Sequence, residues 1–181
     1  MKKIYAVCLF ALLFSCAASA WAADVALTSV GQSPDATMVR VLLKSLKVEP
    51  QFSPLMKAGD LKDEKVLIAV VGGSSKGLGA AGINQDDEAA RAKALLEKAK
   101  ADGKKVLVMH VGGEGRRGTL SDLFIRAAAP FADTMIVVEG GDADGIFKQI
   151  AEPIKAEILT APNVKGTQEP LKTVLTAWGV L

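Results

Sequence analysis

The feature that most constrains the fold is a set of short, mostly apolar runs, each followed by a glycine-rich loop. The run VLIAVV at residues 66–71 leads into GGSSKGLGAAG at residues 72–82. The runs at residues 25–30, 105–111 and 133–138 lead into loops of the same kind, and these four loops hold 13 of the 17 glycines. An uninterrupted apolar run is typical of a parallel strand buried on both faces, whereas a half-exposed strand alternates.

Helical patterns separate the strand patterns. Ser33 as N-cap, with Pro34 at the first helical position and Asp35 behind it, predicts a helix start. In that helix the apolar spacing indicates Met38, Val41 and Leu42 as the buried face. Further helices are predicted over residues 84–101 (after a loop lengthened by Gly77, Gly79 and Gly82), 119–132, 146–155 and 170–179.

Strands that alternate with helices predict right-handed crossovers and a mainly parallel sheet covered on both faces. The expected architecture is a three-layer α/β sandwich, flavodoxin-like or Rossmann-like, with strand order 2-1-3-4-5. Residues 48–54 are expected to be irregular or a short edge strand, since Pro50 and Pro54 limit ladder hydrogen bonds. Residues 158–160 are predicted as a last short strand.

The N-terminus has the pattern of a secretory signal peptide. Lys2 and Lys3 precede an apolar stretch at residues 4–14, and small residues follow up to Ala22. We expect cleavage after Ala22, with Ala20 as the alternative position, which leaves residues 23–181 as one α/β domain in the periplasm or outside the cell. The alternative is a lipoprotein acylated at Cys16.

Removal of residues 1–22 changes the charge and the redox chemistry of the chain. The formal net charge of +2 falls to zero, because two lysines and no acidic residue are lost. No basic excess then favours nucleic acid. Both cysteines are also lost, and His110 is the only histidine, so no metal site is predicted.

All strand-to-helix loops of a parallel sheet emerge at its carboxyl edge, where ligands bind near the switch point of strand order. Glycines and helix N-termini at this edge present backbone N–H groups, and the loops add hydroxyl and cationic side chains. We therefore predict a site for a small polar or anionic ligand, as in a transport accessory or sensor. The predicted ligand-binding residues are Gln32, Ser33, Gly73, Ser74, Ser75, Lys76, His110, Arg116, Arg117, Ser121 and Asp142.

Two other classes of function stay open. The segment Gly73–Gly77 matches G-x-S-x-G, so Ser75 and His110 are candidates for the nucleophile and base of a serine hydrolase. Asp142, Asp122 or Asp144 could orient the histidine. The third class is a protein-interaction module that docks a membrane partner through its glycine loops.

The turn at residues 72–79 resembles the nucleotide-binding turn of short-chain dehydrogenases. That family's Tyr-x-x-x-Lys dyad cannot be present, because Tyr5 is the only tyrosine. No cofactor is predicted.

Taken together, the loops TSVGQSPDA, GGSSKGLGAAGI, MHVGGEGRRGTLSD and GGDADGIF resemble a family of secreted bacterial single-domain proteins known as a domain of unknown function. The resemblance spans residues 25–178. It implies an extracytoplasmic α/β domain with these loops as its signature, and it implies no activity, substrate or catalytic residue.

Overall fold

The computed structural model describes residues 23–181 and shows six parallel strands in one sheet. The strands are β1 (Val25–Val30), β2 (Gln51–Phe52), β3 (Val66–Val71), β4 (Lys105–His110), β5 (Thr134–Val138) and β6 (Glu157–Ala161). Their order is β2-β1-β3-β4-β5-β6. The α/β class and the predicted order are confirmed, with β6 added at the far edge. The proposed signal peptide, residues 1–22, lies outside the described residues.

Six α-helices connect and follow the strands. They are α1 (Asp35–Ser45), α2 (Ser75–Ala81), α3 (Gln85–Ala101), α4 (Thr119–Ala128), α5 (Ile146–Ile154) and α6 (Gln168–Ala177). Short 3-10 turns occupy residues 58–60, 114–116, 129–131 and 165–167. In the described part of the chain, none of these helices is both long and apolar enough to cross a membrane.

The sheet separates two apolar layers. One layer contains the inner faces of α2, α3, α4 and α5, with Phe124 and Phe147 as its largest fully buried side chains. The other contains the inner faces of α1 and α6, with Leu43 and Leu171 against the strands. Successive residues of a strand point to opposite faces, so runs such as Val66–Val71 are apolar throughout because both faces are covered.

The buried face of α1 differs from the predicted one. Met38 and Val41 are 47% and 62% exposed, whereas Ala36, Val39 and Leu43 are buried. The helix carries apolar residues around most of its circumference, so two stripes satisfy the helical period. The packed structure places the stripe with the small Ala36 against the sheet.

The segment after β3 is also a correction. The sequence predicted a loop up to residue 84, but a separate helix, α2, begins at Ser75. The hydroxyl of Ser74 accepts a hydrogen bond from the Gly77 amide at 3.0 Å and caps this helix. Gly82, with φ of 66°, ends it. The predicted start of the next helix near residue 84 is confirmed, since the Asn84 side chain accepts a hydrogen bond from the Asp87 amide at 2.8 Å and caps α3.

Helix α4 is shorter than predicted. It ends at Ala128, and residues 129–131 form a 3-10 turn that contains Pro130. Proline lacks the N–H that a continued α-helix needs, which explains the change.

Candidate functional site

Loops from three strands meet at the carboxyl edge of the sheet. The Ser33 amide, after β1, donates to the carbonyl of Gly72, after β3, at 3.2 Å. The Gly73 amide donates to the Ser121 hydroxyl, in the first turn of α4, at 2.9 Å. The predicted convergence of these loops is therefore present, and Ser33, Gly73 and Ser121 serve as its internal ties.

The switch point of strand order lies between β1 and β3. The chain leaves β1 towards β2 on one side, and leaves β3 towards β4 on the other. Crevices of this kind are where ligands bind in open α/β sheets. Gly72 and Gly112 wall the crevice, and neither has a positive φ, so the absence of a side chain there concerns space rather than backbone conformation.

Asp35, the first residue of α1, lies in this crevice and is 3% exposed. Its Oδ2 has no hydrogen-bond partner within the described residues. A Cβ placed on Gly72 would lie 3.3 Å from that oxygen, and one on Gly112 would lie 3.1 Å from it. Buried carboxylate oxygens are nearly always paired, because removing them from water is costly.

Asp35 was absent from the predicted site, because its place behind Ser33 and Pro34 is the usual place of an acidic residue that favours the helix dipole. The signal that could have identified it is its proximity to a glycine loop on each neighbouring strand, which depends on the strand order.

Arg116 covers Asp35. Its Nε lies 3.7 Å from Asp35 Oδ1, which is an ion pair but longer than a hydrogen bond. A Cβ on Gly112 would lie 2.0 Å from Arg116 Cγ, so the side chain crosses directly over that glycine. The side chain of Arg116 is 39% exposed, and among residues 23–181 its guanidinium makes no hydrogen bond of normal geometry.

Arg117 is engaged by carboxylates. Its guanidinium donates to Asp144 Oδ1 and Oδ2 at 2.9 and 2.8 Å, and to Asp122 Oδ1 at 2.9 and 3.0 Å. It also donates to the Gly141 carbonyl. The hydrogen bonds that Arg117 donates to Asp144, and then those to Asp122, raise the pKa of Arg117 against the opposing effect of burial. The same contact with Arg117 lowers the pKa of Asp144 from 3.8 to about 2. Arg117 thus joins the loops after β4 and β5 and is already neutralised.

His110 is fully buried at the end of β4. Its Nδ1 lies 3.1 Å from the Val71 carbonyl oxygen, and its Nε2 lies 3.1 Å from that of Gly113. Its ring packs against Phe147, with 5.6 Å between ring centroids. Both nitrogens face backbone carbonyls instead of Ser75, so the geometry offers no nucleophile–base hydrogen bond to the hydrolase alternative.

The other predicted residues divide by exposure. Ser75 and Lys76 are exposed on α2, whereas Ser74 is half-buried as its cap. The Gln32 amide nitrogen donates to Glu88 Oε1 and to the Pro54 carbonyl, both at 2.9 Å. Gln32 therefore braces its loop.

Asp142 Oδ1 accepts a hydrogen bond from the Phe147 amide at 2.7 Å. No described residue forms a hydrogen bond with its buried Oδ2. A cavity of 240 Å³ lies beside it, lined by residues of β5, β6 and α5. Asp142 stands at the far side of the rim from Asp35, on the loop after β5.

A larger open groove of 630 Å³ lies at the opposite, amino edge of the sheet. Lys104 is buried there, but its Nζ donates to the carbonyls of Lys62 and Glu64 at 2.7 Å each. The buried charge of Lys104 is therefore satisfied internally, so it does not require a ligand in the way that Asp35 does.

The described residues contain no group of three His, Cys, Asp or Glu side chains that could hold a metal ion.

The fold and the rim define a parallel α/β protein with a glycine-walled crevice at its switch point. By sequence, the chain belongs to a family described as Domain of unknown function (DUF6305), whose model matches residues 22–175. The match agrees with the resemblance inferred from the four loops.

Comparison with curated proteins gives no significant match. Among solved structures, the chain is similar to AlinE4, described as an SGNH-hydrolase family esterase, and to two variants of that esterase. The identity is 12%, the match covers 84% of this chain and 92% of the esterase, and the TM-score is 0.31.

Proposed function

We propose that this protein is an exported binding protein that holds a small polar ligand in the crevice between β1 and β3. The observation that carries the proposal is the buried Asp35 carboxylate with an unpaired oxygen, walled by two glycines. A ligand that donates a hydrogen bond to Oδ2 would remove the cost of leaving that oxygen unpaired.

The contacts of Arg117 determine which cation is available to an anionic group of the ligand. Arg117 is occupied by Asp122 and Asp144, so attraction to an anion rests on Arg116 and, at the edge of the rim, on Lys76. We further propose that the protein is exported to the periplasm and acts there together with a membrane transport or sensor protein. Export is supported by the signal-peptide pattern of residues 1–22.

Binding is tested by closing the crevice with one methyl group. Gly112→Ala places a Cβ 2.0 Å from Arg116 Cγ, whereas Gly115→Ala, in the same loop, meets nothing within 4 Å. A thermal-shift screen of small polar compounds should find a ligand that stabilises the wild type and Gly115→Ala. The same ligand should lose about tenfold or more in affinity for Gly112→Ala, because the added carbon displaces the side chain over Asp35.

Equal affinity for both alanine variants would contradict the proposed position of the site. Export has a separate readout: protein recovered from the periplasm of an expressing bacterium should have the mass of a chain that begins at Ala23. A full-length mass in that fraction would contradict cleavage.

A further inference from the structure

Two opposite charges in the crevice are both incompletely paired. Asp35 Oδ2 accepts no hydrogen bond from the described residues, although the side chain is 4% exposed. Its partner Arg116 approaches only the other oxygen, and at 3.7 Å. A bidentate arginine–carboxylate pair would satisfy both oxygens at hydrogen-bond distance, and this pair does not.

The guanidinium of Arg116 has spare donors. Arginine carries five N–H groups in a planar fork, and in the described structure none of those of Arg116 makes a hydrogen bond. The contrast is Arg117, the next residue, whose guanidinium meets two carboxylates and a carbonyl. Arg116 is therefore free to turn towards a ligand at little cost in existing contacts.

The walls of the crevice pack closely around the carboxylate, and the Arg116 side chain occupies the space over Gly112, so a ligand reaches Asp35 Oδ2 only when that side chain moves. A Cβ on Gly72 would lie 2.9 Å from Ser33 Oγ and 3.3 Å from Asp35 Oδ2, and the Gly112 side is equally close. The Ser33 hydroxyl accepts a hydrogen bond from the Asp35 amide at 3.4 Å, and its own hydrogen is available to donate a second bond. The crevice thus presents an unpaired acceptor, a hydroxyl and a cation that is only loosely paired.

Resting on the proposed function, we propose that the ligand is a small zwitterion of the amino-acid type. Its ammonium group binds Asp35 Oδ2, and its carboxylate binds the guanidinium of Arg116 after that side chain swings off Asp35. The net charge of the crevice and of the ligand are then both close to zero, and each charged group meets its opposite. No residue is chemically changed in this step.

Simpler ligands match half of this arrangement. A carboxylate without an amine would pair with Arg116 and leave Asp35 buried beside a second negative charge. An amine without a carboxylate would pair with Asp35 and move Arg116 away from its only partner. The first case leaves a buried charge uncompensated, which is costly, and the second forgoes the charge-assisted hydrogen bonds to the half-exposed Arg116, so both should bind more weakly than the zwitterion.

The test measures binding of the twenty standard L-amino acids to the purified protein by thermal shift and titration calorimetry. Each hit is compared with its deaminated carboxylate and its decarboxylated amine. The variants are Asp35→Asn and Arg116→Gln, with Asp63→Asn and Arg126→Gln as matched controls on exposed residues away from the crevice. Because Asp35 Oδ2 has no partner, Asp35→Asn should fold at least as stably as the wild type.

The expected result is an amino acid that raises the melting temperature while its two analogues, at equal concentration, do not. Asp35→Asn and Arg116→Gln should each weaken it about tenfold to hundredfold, and the controls less than about twofold. Analogues that bind as well as the amino acid, yet lose affinity in Asp35→Asn, would overturn the zwitterion and leave the binding site standing. No amino acid hit would also overturn it, while the wider screen still tests the site. Binding that is unchanged in both crevice variants would overturn the inference and the proposed site together.

Discussion

Adjacent arginines in one loop do different work in this protein. Arg117 lies among Asp122, Asp144 and the Gly141 carbonyl, and its side chain is 12% exposed. Arg116 crosses Gly112 and ends 3.7 Å from a carboxylate that it does not fully satisfy. The first holds two loops together, and the second is the residue that a ligand can recruit.

The Arg117–Asp144 contact predicts a pH dependence at the acid end. The folded protein lowers the pKa of Asp144 from 3.8 to about 2, so the folded state binds fewer protons than the unfolded state in this window. The contribution to stability is therefore complete above about pH 4 and is lost as the pH falls through about 2. Denaturation midpoints measured between pH 2 and 6 should separate the wild type from Asp144→Asn at pH 6 and converge towards pH 2.

The control is Asp63→Asn, an exposed carboxylate at the opposite edge that makes no ion pair in the described structure. Its midpoint should follow that of the wild type throughout. A difference for Asp144→Asn that stayed constant down to pH 2 would show that the ion pair does not cause it.

At the scale of elements, the main differences from expectation concern α1 and α2. Helix α1 has apolar side chains on both of its long faces, and the face that carries Met38 and Val41 points outward. Helix α2 forms despite two glycines inside it, because Ser74 caps it and Gly77 is required where a Cβ would lie 2.0 Å from the Gln32 carbonyl oxygen. A helical period alone does not choose between two apolar faces, and glycine count alone does not exclude a helix whose start is capped.

Alanine substitutions on α1 test which face is buried. Leu43 is fully buried, so Leu43→Ala should lower the free energy of unfolding by about 2–5 kcal/mol. Val41 is 62% exposed, and Val41→Ala should change it by less than about 0.5 kcal/mol. Urea denaturation gives both values, and a larger effect at Val41 than at Leu43 would reverse the assignment of faces.

At the scale of the whole molecule, one buried ion pair joins segments that are far apart in the chain. Glu88 and Arg91 of α3 pair at 2.7 Å with almost no exposure. Glu88 accepts from the Gly31 amide and from Gln32, and Arg91 donates to the carbonyls of Ser29 and Met56 at 2.6 Å each. The pair thus anchors the loop after β1, which leads directly to Asp35.

Removing one charge of this pair should be costly. Glu88→Gln leaves Arg91 buried without its counter-ion, and we expect a loss of about 3 kcal/mol in the free energy of unfolding. Glu97→Gln, on the same helix, breaks only an exposed pair with Lys93 and should cost less than about 1 kcal/mol. Denaturation of the two variants side by side checks this, and equal losses would mean that the buried pair does not stabilise the fold.

Much of this architecture could be predicted from local patterns. Runs such as Val66–Val71 are apolar at every position because both faces of the strand are covered, and glycine loops mark where each strand ends. These are short-range consequences of burial and backbone freedom, so they can be recognised from neighbouring residues in the sequence. The same holds for the cap at Asn84 and for the loops that match the family model.

The composition of the site depended on tertiary structure. Asp35, Gly72 and Gly112 follow three different strands and become neighbours only because β1, β3 and β4 are adjacent in the sheet. Whether a charged side chain is free or engaged is likewise settled by partners distant in sequence, as Asp144 is for Arg117. By itself, the sequence determined the parallel α/β fold and a glycine-lined carboxyl edge, because burial and turn chemistry act locally. Only the packed structure decided that Asp35 and Arg116 form an incompletely satisfied ion pair at this edge, because that contact joins residues that the chain keeps apart.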